Sequence, residues 1–592
     1  MEERCGDAAH PGHSELRSDS GATRQLTHVG GAWVFATRHL GRLLPPRQRC
    51  RRQRARRQSV RLLGGVLTLS MTATAVVLIS GHHLESGPGP ESVIGGPYAL
   101  LLGSSTDLGP SRLEHSQLTV ALHDTSRPEP LMTWAATNGL GVRWQSGEAW
   151  AIVDGAPRDV ARAFNVSVHD YRGKQGQVFY ASAQQPEVPP AVSGTVTGLG
   201  RILGFSPHRR ASPNFMPLDV PKKGLTPSAL LQAYNLSPLT AAGFTGKGQT
   251  IVFYEFDGYD QTDLDDFAEM YDLPPLKPIL IGGQPRESHG ETVMDLEVAH
   301  AIAPDAQMVV VNARPTLDGG RTYERIAEMF DSVDRQFPGA VWSLSIGWGC
   351  DKLITATDLK PVQSALRRAQ AHGTTAFDAS GDTAGLECKG GANWSAPPGP
   401  ADIGLDAIAS LPAMTSVGGT ALSTDRDGRW LAEQAWVDSP MSQGTSGGVS
   451  ALFPRPAWQR RVSAVRDPEL EGRLTPDVSA VADPITGVRI RFDGQDLVGA
   501  GTSQSAPLWA AMTAIMNQYL LANGGQALGE LNPMLYRVAA GANAPGFRDI
   551  SLGATAVDLS TPGYDLVTGL GTPDVENLVR DLLDIQKGVA PR

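Results

Sequence analysis

Between Leu62 and Ser80 the chain reads LLGGVLTLSMTATAVVLIS with no charge, close to the about 20 apolar residues that a bilayer-spanning helix needs. Residues 82–97 are rich in Gly, Pro, Ser and His and read as a linker. From 98 to 205, short apolar runs such as Leu118–Leu122 and Trp150–Val153 mix with a helical stretch at Pro157–Phe164. That pattern predicts a compact α+β unit. Residues 206–224 are rich in Pro, Arg and Lys, the composition of an exposed linker open to cleavage. Beyond Leu225 the pattern changes again. Strand-like runs at Gln249–Glu255, Met308–Asn312 and Val341–Ser345 alternate with helical stretches at Glu291–Ile302 and Tyr323–Phe337. This predicts an α/β domain over 225–592, with a mainly parallel central sheet flanked by helices. The ligand site of such a sheet lies at the carboxyl ends of its strands.

Charge refines the picture at the amino terminus. Arg47, Arg49, Arg51, Arg52, Arg54, Arg56, Arg57 and Arg61 precede the apolar run. Arginines on that side predict a cytoplasmic segment 1–61, a membrane helix at 62–81 and an exported remainder. A long signal segment is the competing reading of 62–81. Either way the remainder faces the outside. The net charge of -10 coexists with this basic lead, so the exported body is acidic, unlike a nucleic-acid binder. With 41% hydrophobic and 19% charged residues the chain can bury a large core. Its four cysteines include no Cys-x-x-Cys pair, which argues against structural zinc. In an oxidising compartment a Cys350–Cys388 bridge becomes available, although sequence leaves its geometry open.

Four segments carry candidate chemistry. Gly499-Ala-Gly-Thr-Ser503-Gln-Ser-Ala-Pro507 is a glycine-rich turn that feeds a helix. Ser503 would sit among the free N–H groups and positive dipole of that helix, a setting for a nucleophile and the oxyanion it makes. The simpler alternative is a Thr or Ser that merely caps the helix. Glu291 and Asp295, one turn apart on a helix with apolar neighbours, form a second candidate. Two buried carboxyls cannot both ionise cheaply, so one keeps its proton, which suits general-base work in acid. The alternative is a capping box, Ser288-x-x-Glu291, with Asp295 exposed. Asp382, in Ala379-Ser-Gly-Asp382 at a strand end, could donate to an oxyanion if protonated, or simply close an Asx turn. Asp549, Ile550 and the stretch Thr561-Pro-Gly563-Tyr-Asp565 could form an all-oxygen calcium site, or an ordinary tight loop.

In this order the segments resemble the sedolisin family of serine-carboxyl peptidases, with kumamolisin-like members closest. Thr226-Pro-Ser-Ala-Leu, Gly246-Lys-Gly-Gln, Val417-Gly-Gly-Thr420, Ser446-Gly-Gly-Val-Ser450 and Pro476-Asp-Val-Ser479 extend the resemblance from about Thr226 to Pro573. It implies a subtilisin-like fold and an acid-acting endopeptidase made as a proenzyme. Ser503 would be the nucleophile, Glu291 the base, Asp295 the residue that orients it and Asp382 the oxyanion residue. Glu255 sits where kumamolisin-like members carry another network glutamate. The family's Ser-Ile-Ser-Trp-Gly reads here Ser343-Leu-Ser-Ile-Gly347-Trp348, so the tryptophan's role is not carried over. The resemblance also implies one calcium ion on Asp549, Ile550, Thr561, Gly563 and Asp565. It implies a propeptide domain at 98–205, removed by cleavage within 206–224. Expected partners are protein or peptide substrates, the chain's own propeptide, calcium and a membrane through the amino-terminal segment. Two rivals remain: a subtilisin-type peptidase that uses His289, and a non-catalytic membrane-anchored binding protein.

Overall fold

The structure is a computed structural model that describes residues 93–590, apart from 175, 207–208, 211–215, 218–223, 318–319, 390–397, 439–442, 462–469 and 542–545. The basic segment 1–61, the apolar span 62–81, most of the linker 82–97 and part of 206–224 lie outside the described residues. Among the described residues no helix is long and apolar enough to cross a membrane.

The amino-terminal part is an α+β unit with its own core. Strands β1 (Ser116–Leu122), β2 (Gly141–Arg143), β3 (Trp150–Gly155) and β4 (Val196–Leu199) form an antiparallel sheet in the order β2-β3-β1-β4. Helices α1 (Glu129–Thr137) and α2 (Pro157–Phe164) bury Leu131, Ala135, Val160 and Phe164 against Val120, Ala151 and Val153.

The rest of the chain is built on an eight-stranded sheet. Its strands are β5 (Thr250–Glu255), β6 (Ile279–Ile281), β7 (Gln307–Asn312), β8 (Val341–Leu344), β9 (Thr375–Ala379), β10 (Thr415–Thr424), β11 (Trp430–Ala435) and β12 (Val478–Val481). The order is β6-β7-β5-β8-β9-β10-β11, with β12 also paired to β10. Every pairing is parallel except β10 with β11, so the mainly parallel sheet read from the sequence is present. Alternation along β5 explains the layering. Ile251 and Phe253 face a core shared with α3 (Glu291–Ile302) and α6 (Thr502–Ala522), while Val252 and Tyr254 face α4 (Thr322–Gln336) and α5 (Lys360–Ala371).

The amino-terminal unit docks on the side of α4 and α5. Arg143 reaches Glu324 of α4 at 2.7 Å. Arg368 of α5 pairs with Glu148. The Arg201 backbone N–H donates to Asp358 at 3.0 Å.

Candidate active site

Helices α3 and α6 pack side by side under the sheet, and each begins in the same way. The residue before each is a glycine with positive φ, Gly290 at 93° and Gly501 at 96°, a conformation that favours glycine. Neither helix is capped by its own side chains. Each instead receives an aspartate from elsewhere in the chain. Asp257, just past β5, accepts from the N–H groups of His289 (2.7 Å), Glu291 (3.3 Å) and Thr292 (3.1 Å). Asp382, past the end of β9, accepts from the Thr502 N–H at 2.7 Å and the Thr502 hydroxyl at 2.8 Å.

This outside capping decides two alternatives left open by the sequence. The box Ser288-x-x-Glu291 does not form, because Asp257 occupies the helix end and leaves the Glu291 side chain turned inward. Asp295 is not exposed: all twelve residues of α3 are buried. On α6 neither Thr502, Ser503 nor Ser505 caps the helix. The Ser505 hydroxyl instead donates to the Ala480 carbonyl at 3.0 Å.

The inward carboxyls meet. Glu255 at the end of β5, and Glu291 and Asp295 on α3, are all buried. Burial raises Glu291 well above the usual carboxylate range, and the charges of Asp295 and Asp257 push the same way, while the Ser503 hydroxyl favours its anion. Ser503 Oγ and both Glu291 oxygens nevertheless lack a fully formed hydrogen bond. The Glu291 carboxyl and the Ser503 hydroxyl still act on one another, and contacts of this kind commonly tighten when a ligand binds. Asp295 is lifted to about 8, chiefly by burial. Glu255 stands well above its ordinary value because of burial and the neighbouring charge of Asp295. Two buried acids this close cannot both ionise cheaply, so the pair favours keeping a proton.

Asp382 lies at the helix start next to Ser503, on the Thr502 N–H and hydroxyl. Burial lifts its carboxyl to about 6 against the pull of the Thr502 bonds, although part of its surface stays open. A Cβ on Gly501 would come within 2.7 Å of Asp382 Oδ2, so the glycine lets the acid close on the helix start. In acid Asp382 is a neutral donor beside the Ser503 N–H, and the two can hold an oxyanion.

His289 does not join this group. Its side chain is about half exposed, at 47%, and its Nε2 lies 3.7 Å from Glu287. Two residues of the site were not singled out by their local sequence. Asp257 is one, and nothing near it in the chain signals its role as a cap. Ser345 is the other: its Oγ lies 2.6 Å from Asp295 Oδ2 and 3.0 Å from the Ser503 carbonyl oxygen. Cys350 and Cys388 form a disulfide, which ties the loop after Ser345 to the one after Asp382. Trp348 packs edge-on against Phe256, and its backbone N–H is bound by Asp406.

The calcium candidates also come together. Asp565 accepts from the N–H groups of Thr561 (2.9 Å), Val567 (2.9 Å) and Thr568 (2.7 Å), and Asp549 accepts from Gly563 (2.9 Å). The Thr568 hydroxyl reaches the Ile550 carbonyl at 3.4 Å. Burial raises Asp565 against the pull of the bonds from Thr568, Thr561 and Val567. Two carboxylates with nearby carbonyls offer the oxygen-only donor set that a hard divalent cation takes, while Asp565 is here filled by N–H donors as in a tight loop.

No family model matches the chain. Kumamolisin of Bacillus sp. (strain MN-32) is 30% identical over 462 residues, covering 73% of this chain and 78% of that protein. Tripeptidyl-peptidase 1 of Homo sapiens is 26% identical over 448 residues, 70% of this chain and 75% of that protein. Sedolisin of Pseudomonas sp. (strain 101) is 26% identical over 454 residues, 72% of this chain and 73% of that protein. Among solved structures, Pseudomonas sedolisin, a serine-carboxyl proteinase complexed with two molecules of pseudo-iodotyrostatin, has a TM-score of 0.51 at 24% identity. It covers 60% of this chain and 97% of its own, and establishes the shared fold.

Proposed function

Because this chain belongs to the sedolisin family of serine-carboxyl peptidases, we propose that Ser503 is its nucleophile, Glu291 its general base, Asp295 the acid that orients Glu291, and Asp382 its oxyanion donor. The chain is a serine-type peptidase that hydrolyses peptide bonds. The observation that carries the residue assignment is the burial of the Glu291 carboxyl against the Ser503 hydroxyl, with Asp382 on the same helix end. Glu291 takes the Ser503 proton as Oγ attacks the peptide carbonyl. Protonated Asp382 and the Ser503 N–H receive the developing negative charge. Glu291 then protonates the leaving amine, and water repeats the sequence on the acyl-enzyme. The working range is about pH 3–5, where ordinary carboxyls titrate.

The chain carries its own inhibitor in this reading: 98–205 is the propeptide domain and 206–224 the linker cleaved on activation. Two backbone pairings support it. Arg209–Arg210 pair antiparallel with Ile346–Gly347, directly after Ser345. Met216–Pro217 pair antiparallel with Leu497–Val498, just before the turn that leads to Ser503. The linker thus brackets the nucleophile. At pH 4 the purified exported part is expected to cut itself within 206–224, as read by mass spectrometry, and the Ser503→Ala protein to stay intact. Equal processing of both proteins would refute the nucleophile.

Calcium is proposed on Asp549, Asp565 and the carbonyls of Ile550, Thr561 and Gly563, where it would supply charge neutralisation and tie two loops together. A cation at a hundred times its Kd stabilises by about 2.7 kcal/mol. Chelation should therefore lower Tm by several degrees in the native protein and leave Asp565→Asn unmoved. A native Tm indifferent to chelator and to added calcium would rule the site out. We place the catalytic part outside the cell, on the Arg-flanked apolar segment and the Cys350–Cys388 bridge. Segment 62–81 then acts as an anchor or as a signal.

A further inference from the structure

Ser345 has one hydroxyl proton and two oxygen neighbours, Asp295 Oδ2 at 2.6 Å and the Ser503 carbonyl at 3.0 Å. A carbonyl can only accept. If both contacts are hydrogen bonds, Ser345 must donate to the carbonyl, and Asp295 must donate to Ser345. The carbonyl is available for a reason written in the sequence. In an α-helix it would accept from the residue four places on, which is Pro507, inside α6 and without an N–H. Proline therefore leaves the nucleophile's own carbonyl without its helical donor, and Ser345 supplies one from the neighbouring strand end.

We propose that Ser345 is a positioning residue that holds a proton on Asp295 Oδ2 and ties that acid to the backbone of the nucleophile, through a carbonyl released by Pro507. The proposal rests on the assignment of Glu291, Asp295 and Ser503 given above. It fixes which oxygen of Asp295 is the hydroxyl. Oδ1, which has no hydrogen-bond partner among the described residues, is then the oxygen without the proton. The charged groups that face Asp295 are all acids: Glu255 from β5, Asp257 just after it, and Glu291 on its own helix. With no cation among them, an anionic Asp295 would repel the Glu291 anion that catalysis needs. A neutral Asp295, pinned by Ser345, lets Glu291 ionise in acid.

The test is kcat and KM against pH for the acid-activated full chain as native, Ser345→Ala, Ser345→Thr and Pro507→Ala proteins, with Glu291→Gln as control. Ser345→Ala is expected to lose roughly 10–100-fold in kcat, the scale of a misplaced catalytic group, with KM within about twofold. Its alkaline limb should move to lower pH, because Asp295 loses the acceptor of its proton. Ser345→Thr, which keeps the hydroxyl, should restore both. Pro507→Ala returns an N–H to the helix, competes for the carbonyl and should move the alkaline limb the same way. That variant decides the matter if Ser345→Ala does not fold. Native kcat and pH profile in Ser345→Ala or Pro507→Ala, or a Thr variant as impaired as Ala, would overturn the proposal while Glu291→Gln stayed inactive. Activity retained in Glu291→Gln would instead overturn the catalytic assignment itself.

Discussion

Glu291→Gln is expected to lower kcat by about 10²–10⁴-fold at pH 4, the range that general acid–base catalysis supplies, while His289→Ala stays within about twofold of native. The contrast separates this enzyme from a histidine-based serine peptidase. At pH 4 an imidazole is protonated and cannot accept a proton. A carboxylate can if it is ionised there: burial and the charges of Asp295 and Asp257 raise Glu291, so a proton held on Asp295 is what frees Glu291 to ionise in acid. Glutamine keeps the shape and removes the proton acceptor, so KM should change little beside kcat. Steady-state hydrolysis of a peptide substrate across pH 2–8, by separately expressed variants activated in trans, reads the result. A severe loss in His289→Ala with Glu291→Gln near native would reverse the assignment.

The parts of this site that sequence makes legible are those with a local cause. The strand–helix alternation after Leu225 predicted the parallel sheet because its central strands β5, β7 and β8 are buried on both faces and each reads as a short apolar run. Helix α3 was bounded at Glu291–Ile302 by its composition, and the structure gives it those ends. Its burial was legible from the apolar neighbours of Glu291 and Asp295, but that Glu297 and His300, round the helix from them, are buried as well follows only from the fold, in which α3 packs against both the sheet and α6. Asp257 caps α3 from 34 positions before Glu291, and no short-range pattern encodes a contact of that span. Ser345 was read as the last residue of a strand. The one local hint to its role is Pro507, four residues past the nucleophile, which reads in sequence as a helix oddity until the strand end is placed beside it. The Trp348 displacement was visible in the sequence, but its new surroundings, Phe256 and Asp406, follow from the fold.

The buried acids that allow catalysis in acid should also make the protein lose stability as pH rises. Asp295 stands at about 8, Asp406 at about 7 and Asp382 at about 6, while Glu255, Glu291 and Asp378 are raised well above their ordinary values, burial being the first cause in each case. Unfolded, the same groups titrate near 4. Between about pH 4 and 8 the folded chain therefore binds more protons than the unfolded one, and the linkage slope is negative: stability falls as pH climbs through the folded values and is restored as pH falls below the unfolded ones. Groups held low, such as Glu324 between Arg321 and Arg143, act in the opposite sense and only below about pH 4. Two protons retained on folding give a slope of about -3 kcal/mol per pH unit, large against a total stability of about 5–15 kcal/mol. Thermal melts of the Ser503→Ala proenzyme, which cannot digest itself, should give the highest Tm near pH 4–5 and a drop of more than about 5 °C by pH 7. Asp378 identifies the cause, because it is fully buried and, among the described residues, neither carboxyl oxygen has a fully formed hydrogen bond. Asp378→Asn keeps the shape and removes the titration, so its melting curve against pH should be flatter, by up to about 1.4 kcal/mol per pH unit. Tm unchanged or rising from pH 4 to 7 would mean that the buried carboxyls are neutralised by some other means.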